Sequence, residues 1–225
     1  MRLVGVGVGP GDPEHLTLKA LRALREADQV FAPAGGRAAA IVAEHAEVTP
    51  LEFAMTDAAA RDAHWDRAGE VIAAAVKSGT AAFATLGDPN LYSTFAYVAH
   101  TVRRLVPGVE VETVPGITAM QDLAARSGTV LAEGAERLAL VPYTAGDDPL
   151  REALAGYDTV VVYKGGRQLP QVLAAVRDAG ALERAVYGEQ LGTPGERVGA
   201  PRDGAAPYMS TVIVPAARAG RGGRI

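Results

Sequence analysis

Apolar runs that fit strands alternate with helical stripes along the chain, and strand after strand breaks off into glycine. That alternation constrains the fold more than any single residue, because strands separated by helices pair in parallel and bury both faces of their sheet. The spacing predicts a first strand over residues 3–8. Leu16, Ala20, Leu24 and Ala27 then recur on one helical face, with Asp12-Pro13 or Thr17 as the start signal. A strand over 29–32 precedes a second helical stripe, Trp65, Ala68, Ile72, Ala75 and Val76, which stops at Ser78-Gly79. A strand over 81–86, a helix over 91–106 and an alternating strand over 109–114 close a first series. Pro115-Gly116 is the best internal breaker. Beyond it the pattern predicts helices over 118–127 and 168–179 and strands over 137–141, 158–164, 185–188 and 209–214. The Gly/Pro-rich stretch 192–207 reads as a long loop or hairpin. The expectation is an α/β protein with mostly parallel strands and two domains, 1–114 and 115–225.

Composition removes several kinds of chemistry. The 225 residues include no cysteine, so a disulfide framework, a thiolate metal site and a cysteine nucleophile are all excluded. Lys and Arg total 22 against 26 Asp and Glu, a net charge of −4, which offers no basic face for nucleic acid. No run approaches the roughly 18 apolar residues of a membrane span. The opening MRLVGVGV is a strand rather than a signal peptide, so a soluble, cytoplasmic protein is expected. Arg218, Arg221 and Arg224 in the Gly-rich terminus read as a frayed tail.

Four strand ends carry the residues that could do chemistry. GVGVGPGDP at 5–13 is dense in glycine before a helix, but Pro10 interrupts the dinucleotide spacing G-x-G-x-x-G and no GK[ST] follows. TLGDPNLYSTF at 85–95 ends a buried strand in a polar turn; Gly87 permits close approach, and Asp88 serves either a ligand or the turn itself. VPGITAM at 114–120 repeats the arrangement with Thr118 as a helix cap, and YKGGR at 163–167 is the fourth. Four such ends suggest a shared cleft. His15, His45, His64 and His100 are scattered without metal-ligand spacing, and no G-x-S-x-G elbow is present. Ser93 near His100 is a pairing that helical spacing alone produces. Asp88, Glu189 and Tyr92 have acid/base chemistry available, but spacing singles out no catalytic residue.

The stretch VGVGVGPGDPEHLTLKA at 4–20 resembles the N-terminal signature of the tetrapyrrole (corrin/porphyrin) methylases. GDP at 87–89, VPGITA at 114–119, YKGGR at 163–167 and STVIV at 210–214 fall in that family's order, so the likeness covers essentially the whole chain. Within the family, TLGDPNLYSTFAYV at 85–98, FAPAGGRAA at 31–39 and LEFAMT at 51–56 are similar to the branch that methylates C20 of precorrin-2 in cobalamin biosynthesis. The resemblance implies two α/β domains, each a mixed sheet flanked by helices, with the active-site cleft between them and a homodimer as the assembly. It implies S-adenosylmethionine as methyl donor, with no metal required. Carried over by motif, the donor's neighbours are Pro10, Leu86, Gly87, Asp88, Leu91, Ser93, Thr94, Thr118, Ala119, Lys164, Leu191, Ser210 and Thr211.

The small-molecule partner so implied is precorrin-2, with neither nucleic acid nor membrane involved. Its carboxylates make Arg37, Arg126 and Arg167 reasonable bidentate clamps, against the alternative of ordinary solvated arginines. Cobalt-factor II is the nearest rival substrate. From other classes, a nicotinamide-dependent oxidoreductase using the turn at 5–11 and a tetrapyrrole carrier without chemistry remain as alternatives.

Overall fold

The computed structural model describes residues 1–53, 58–144 and 146–220. Residues 54–56 of LEFAMT, and Arg221 and Arg224, lie outside them. The chain divides into two units, Met1–Thr118 and Ala119–Ile225.

The first unit is built on β1 (Arg2–Gly7), α1 (Leu18–Glu26), β2 (Gln29–Pro33), α2 (Arg37–Ala43), β3 (Val48–Leu51), α3 (Ala58–Val76), β4 (Thr80–Thr85), α4 (Phe95–Leu105) and β5 (Glu110–Val114). Its sheet runs β3-β2-β4-β1-β5 with every strand pairing parallel. Alternate residues of one strand go to opposite layers. Leu3, Phe31, Ala81 and Phe83 pack with Ile72, Val76, Val98 and Val102, while Val4, Val6, Ala82 and Val114 pack with Leu24 and Ile41. Both faces are covered, which is why these strands read as unbroken apolar runs. Both expected start signals are used: Asp12 accepts from the Glu14 N–H in a short 3-10 turn, and Thr17 Oγ1 accepts from the Ala20 N–H at 3.0 Å to cap α1.

The second unit comprises α5 (Ala119–Ser127), β6 (Leu138–Pro142), α6 (Asp147–Gly156), β7 (Thr159–Tyr163), α7 (Leu169–Asp178), β8 (Val186–Glu189), β9 (Arg197–Gly199) and β10 (Ser210–Val214). Its sheet runs β6-β7-β10-β8-β9, parallel between β6 and β7 and antiparallel at the other three pairings. Val160, Val162, Val212 and Val214 face Leu150, Leu169, Val172 and Val176; Val161 and Ile213 face Leu123 and Leu191.

The structure adds α2, β3 and α6 to the elements expected, and within the 192–207 stretch it places β9, which pairs back on β8 as a hairpin and is followed by a loop to β10. Helix α4 begins at Phe95 rather than 91, because residues 91–94 belong to the turn after β4. The tail expectation fails at Arg218. Its Nε donates to Glu136 at 2.8 Å, its Nη1 to the Val130 carbonyl at 3.2 Å, and its side chain is only 17% exposed. The partners lie some eighty residues upstream, where local composition has no view of them.

Helices α3 and α4 meet where Gly69 faces Thr101; an added Cβ on Gly69 would stand 2.5 Å from Thr101 Cβ and Cγ2. Thr101 cannot turn away cheaply, since its hydroxyl donates to Asp66 at 2.9 Å. Gly69→Ala therefore gains helix propensity but overpacks the seam, for an expected net loss of about 1 kcal/mol or more. Urea unfolding should show the loss, and Thr101→Ser in the same chain, which removes Cγ2 but keeps Cβ, should recover part of it; an unchanged midpoint in the single variant would disprove this packing argument.

The Arg218 guanidinium holds the Glu136 carboxyl below its ordinary range, chiefly by hydrogen bonding. A carboxyl lowered in the folded state stabilises above its unfolded pKa of about 4.3 and stops doing so as pH falls through the folded value. Glu136→Gln should thus melt below wild type at pH 7, with the two melting points converging as the solution is acidified; a constant gap across that range would contradict the assignment.

Candidate functional site

In the first unit the carboxyl ends of β1, β4 and β5 lie side by side, since β1 pairs with both neighbours in parallel. Their backbones approach so closely that side chains are excluded. An added Cβ on Gly7 would stand 2.5 Å from the Gly87 carbonyl oxygen and 2.6 Å from the Gly116 nitrogen, and one on Gly116 would overlap the same Gly87 oxygen. The Gly87 N–H donates to the Gly9 carbonyl at 2.7 Å, and the Val8 N–H to that of Thr85 at 3.0 Å, so the first turn is hydrogen-bonded to the second. Gly87 has φ +70°, and the space its Cβ would enter holds no protein atom within 4 Å. That opening over bare backbone fits the approach of a ligand.

Asp88 braces this edge. Its Oδ1 accepts from the Asn90 N–H at 2.8 Å and its Oδ2 from the Gly116 N–H at 3.0 Å, joining the turn after β4 to the turn after β5. Asn90 Nδ2 adds a bond to Thr113 Oγ1 at 3.1 Å. Ser93 Oγ lies 2.9 Å from Thr85 Oγ1 and accepts from the Phe95 N–H at 3.1 Å, so Ser93 rather than Thr94 caps α4. Its partners are Thr85 and Phe95, and His100 is exposed. Pro10 and Thr118 are buried on this edge, with Leu86 and Leu91 half-buried.

The second unit places a comparable group of residues at one sheet edge by a different route. Because β10 runs antiparallel to β7 and β8, its first residues lie beside the carboxyl ends of both. Thr211 stands opposite Tyr163, next to Lys164, and Ser210 opposite Glu189, two residues before Leu191. Ser210, Thr211 and Leu191 are buried and Lys164 is half-buried. Gly166 allows the crossing here: its Cβ would meet the Pro207 carbonyl oxygen and, at 2.6 Å, Ser210 Oγ. Tyr163 accepts from the Met120 N–H at 3.0 Å, satisfying one of the free donors that begin α5, just after Ala119.

Beside this edge lies a polar group whose connections the sequence did not announce. Tyr187 is fully buried and its hydroxyl donates to Glu189, while Arg202 Nη1 lies 3.3 Å from Glu189 Oε1. Burial first, then the bond to Glu189, push the Tyr187 phenol far above its ordinary value. The shift favours the protonated phenol that donates to Glu189. The i, i+2 spacing of Tyr187 and Glu189 on one strand face is the signal that could have paired them.

The clamp arginines divide. Arg37 Nε donates to the Gly11 carbonyl at 2.8 Å, tying the first turn to α2. Arg126 holds Asp122 at 2.8 Å and Glu196 at 2.9 Å, both carboxylates of its own unit. Arg167 is exposed on the 3-10 turn after β7, near enough to Tyr208 to act on its phenol. No three acidic or histidine side chains among the described residues form a group able to hold a metal ion, and none of the described helices is long and apolar enough to cross a membrane.

A family model described as tetrapyrrole (corrin/porphyrin) methylases matches residues 2–202. The precorrin-2 C(20)-methyltransferase of Sinorhizobium sp is 34% identical over 235 residues, which cover 95% of each chain. The cobalt-precorrin-2 C(20)-methyltransferase of Salmonella typhimurium is 31% identical over 229 residues, again 95% of each. Among solved structures, the uroporphyrin-III C-methyl transferase of Thermus thermophilus complexed with S-adenyl homocysteine is similar with a TM-score of 0.71 at 25% identity, over 96% of this chain and 92% of that one.

The glycine contact yields a direct test. Gly116→Ala should force β5 away from β1 and β4, costing about 1–3 kcal/mol as overpacking does, and should speed amide exchange at Gly87, whose bond to Gly9 depends on that approach. Undiminished protection at Gly87 would show that the edge tolerates the methyl group.

Proposed function

Because the chain belongs to the tetrapyrrole (corrin/porphyrin) methylase family, we propose that it transfers a methyl group from S-adenosylmethionine to C20 of precorrin-2, giving precorrin-3A in cobalamin biosynthesis. The observation that carries this reading is the end-to-end likeness, 95% of both chains, to a precorrin-2 C(20)-methyltransferase. The open backbone over Gly87 and the buried hydroxyls of Ser210 and Thr211 support it as surfaces suited to a donor.

S-adenosylmethionine, when bound, supplies a methyl group already activated by its sulfonium, so the displacement needs neither a protein nucleophile nor a metal. The proposed donor contacts are Pro10, Leu86, Gly87, Asp88, Leu91, Ser93, Thr94 and Thr118 on the first unit, and Ala119, Lys164, Leu191, Ser210 and Thr211 on the second. Their work is alignment. Fixing two reactants in a reactive geometry is worth up to roughly 7–11 kcal/mol of barrier. Asp88 serves this by holding the turns after β4 and β5 in register through two backbone N–H groups, which leaves its carboxylate a brace rather than a base. Arg167 is the clamp candidate whose guanidinium is exposed toward solvent, whereas Arg37 and Arg126 are occupied within their own units. The same reading proposes a cytoplasmic homodimer without membrane or nucleic-acid partners, supported by the family resemblance and the acidic balance.

A second substrate form is favoured by one finding: the Salmonella typhimurium relative is named for cobalt-precorrin-2 at nearly the same identity. Incubation with isotopically labelled S-adenosylmethionine and either metal-free or cobalt-loaded precorrin-2, followed by NMR of the product, tests both. Label at C20 of the metal-free substrate is the expected result. Faster turnover of the cobalt form would transfer the assignment to that substrate, and label at another carbon would reject the C20 assignment while keeping the family.

A further inference from the structure

The turn between β8 and β9 carries Leu191, and it is fastened at both ends. Gln190, its first residue, donates its N–H to the Met209 carbonyl at 2.8 Å, one residue before Ser210. At the other end Glu196 reaches back, its Oε2 accepting from the Gly192 N–H at 2.7 Å. Thr193 closes the middle: its Oγ1 donates to the Gln190 carbonyl at 2.8 Å, and its own carbonyl accepts from the Glu196 N–H at 3.0 Å. Gln190 holds φ 49°, a left-handed backbone that costs free energy in a residue with a Cβ and persists only where its surroundings over-determine it.

Helix α5 supplies the outer anchor. Asp122 is only 3% exposed, and a carboxylate so deeply buried needs a cation beside it. Arg126, one helical turn on, gives its Nε to Asp122 Oδ1 at 2.8 Å and its Nη1 to Glu196 Oε1 at 2.9 Å. The planar guanidinium is thereby fixed by the helix on one side and directs Glu196 on the other. Glu196 uses both oxygens, so two side chains tie α5 to the backbone of the turn.

Leu191 sits between these fastenings. Its side chain packs with Leu123, Val161 and Ile213, so what it can offer a ligand is its peptide. Neither its N–H nor its carbonyl has a hydrogen-bond partner among the described residues. In a residue 5% exposed, such a peptide leaves a hydrogen-bond demand that a bound polar group can meet.

We infer that Arg126 and Glu196 are positioning residues for the methyl donor, holding the 190–192 turn so that the Leu191 peptide meets S-adenosylmethionine. The inference rests on the function proposed above, in which Leu191 is a donor contact, and it gives Arg126 a task other than gripping a tetrapyrrole carboxylate. A turn already in place spares the ligand the cost of ordering it, whereas one in place only part of the time weakens affinity by that fraction.

Calorimetric titration with S-adenosylmethionine, which needs no methyl acceptor, tests this on wild type, Glu196→Ala and Glu196→Gln, with hydrogen exchange read at the Gly192 amide. Glu196→Ala removes both bonds of the carboxylate and should raise Kd about tenfold, the fold-change of one lost hydrogen bond to a charged group, while Gly192 exchanges faster. Glu196→Gln keeps an oxygen for one of the two partners, and its Kd should fall between. The Arg126 and Glu196 side chains are 26% and 29% exposed, so the melting point should drop only slightly. An unchanged Kd in Glu196→Ala, whether or not Gly192 exchanges faster, would make the clamp a brace of the hairpin alone and overturn the inference, with the proposed function left standing. A wild type that takes up no S-adenosylmethionine overturns the function and this inference with it.

Discussion

The first unit depends on three backbones meeting without side chains between them. Gly7, Gly87 and Gly116 come from the ends of three adjacent parallel strands; a methyl group on Gly7 or on Gly116 would run into the other and into the Gly87 carbonyl oxygen. Because the strands pair in parallel, their carboxyl ends share one edge, and the glycines let three turns bend over that edge in contact. Asp88 then fixes the spacing of two of the turns with a single carboxylate. Sterics thus determine how near the backbones come, and a charged acceptor determines how they are aligned.

The second unit reaches a similar arrangement without parallel strands. There the antiparallel β10 brings Ser210 and Thr211 to the carboxyl ends of β7 and β8, and Gly166 clears the room for Ser210. Position on a sheet edge, rather than strand direction, is what the two units have in common. Family membership identifies the chemistry of the chain, and the tie between Arg37 and the first turn shows how a residue suited to substrate can instead be committed to structure.

How much of this was legible depended on whether the signal was local. Strands such as 81–86 announced themselves by apolar runs ending in glycine, and Thr17 and Asp12 by capping chemistry. Helix α2 did not, because its seven residues, RAAAIVA, are too short and too alanine-rich to show a period. The three-residue β9 was visible only as punctuation. Strand direction in the second sheet is a long-range property, and no alternation within β10 reveals that it runs against β7. At the candidate site the glycines and Asp88 stood out as turn residues, whereas Ser93 fell inside the helix expected over 91–106. The bond from Met120 to Tyr163 spans forty-three residues, and the anchoring of Arg218 on Glu136 spans eighty-two, so neither could be read from neighbours in sequence.

The place of β10 in its sheet bears on the order in which the protein can be made. All five strands of the first sheet are present once residue 114 has been synthesised, so that unit can close its core while translation continues. In the second sheet the central strand is the last to emerge, and until residues 210–214 arrive the β6–β7 pair and the β8–β9 hairpin have no strand to join them. Val160, Val162 and Tyr187 would meanwhile present apolar surface and unpaired backbone edges, the features that recruit chaperones or neighbouring nascent chains. The first unit can thus be finished while the second still waits for the strand at its centre.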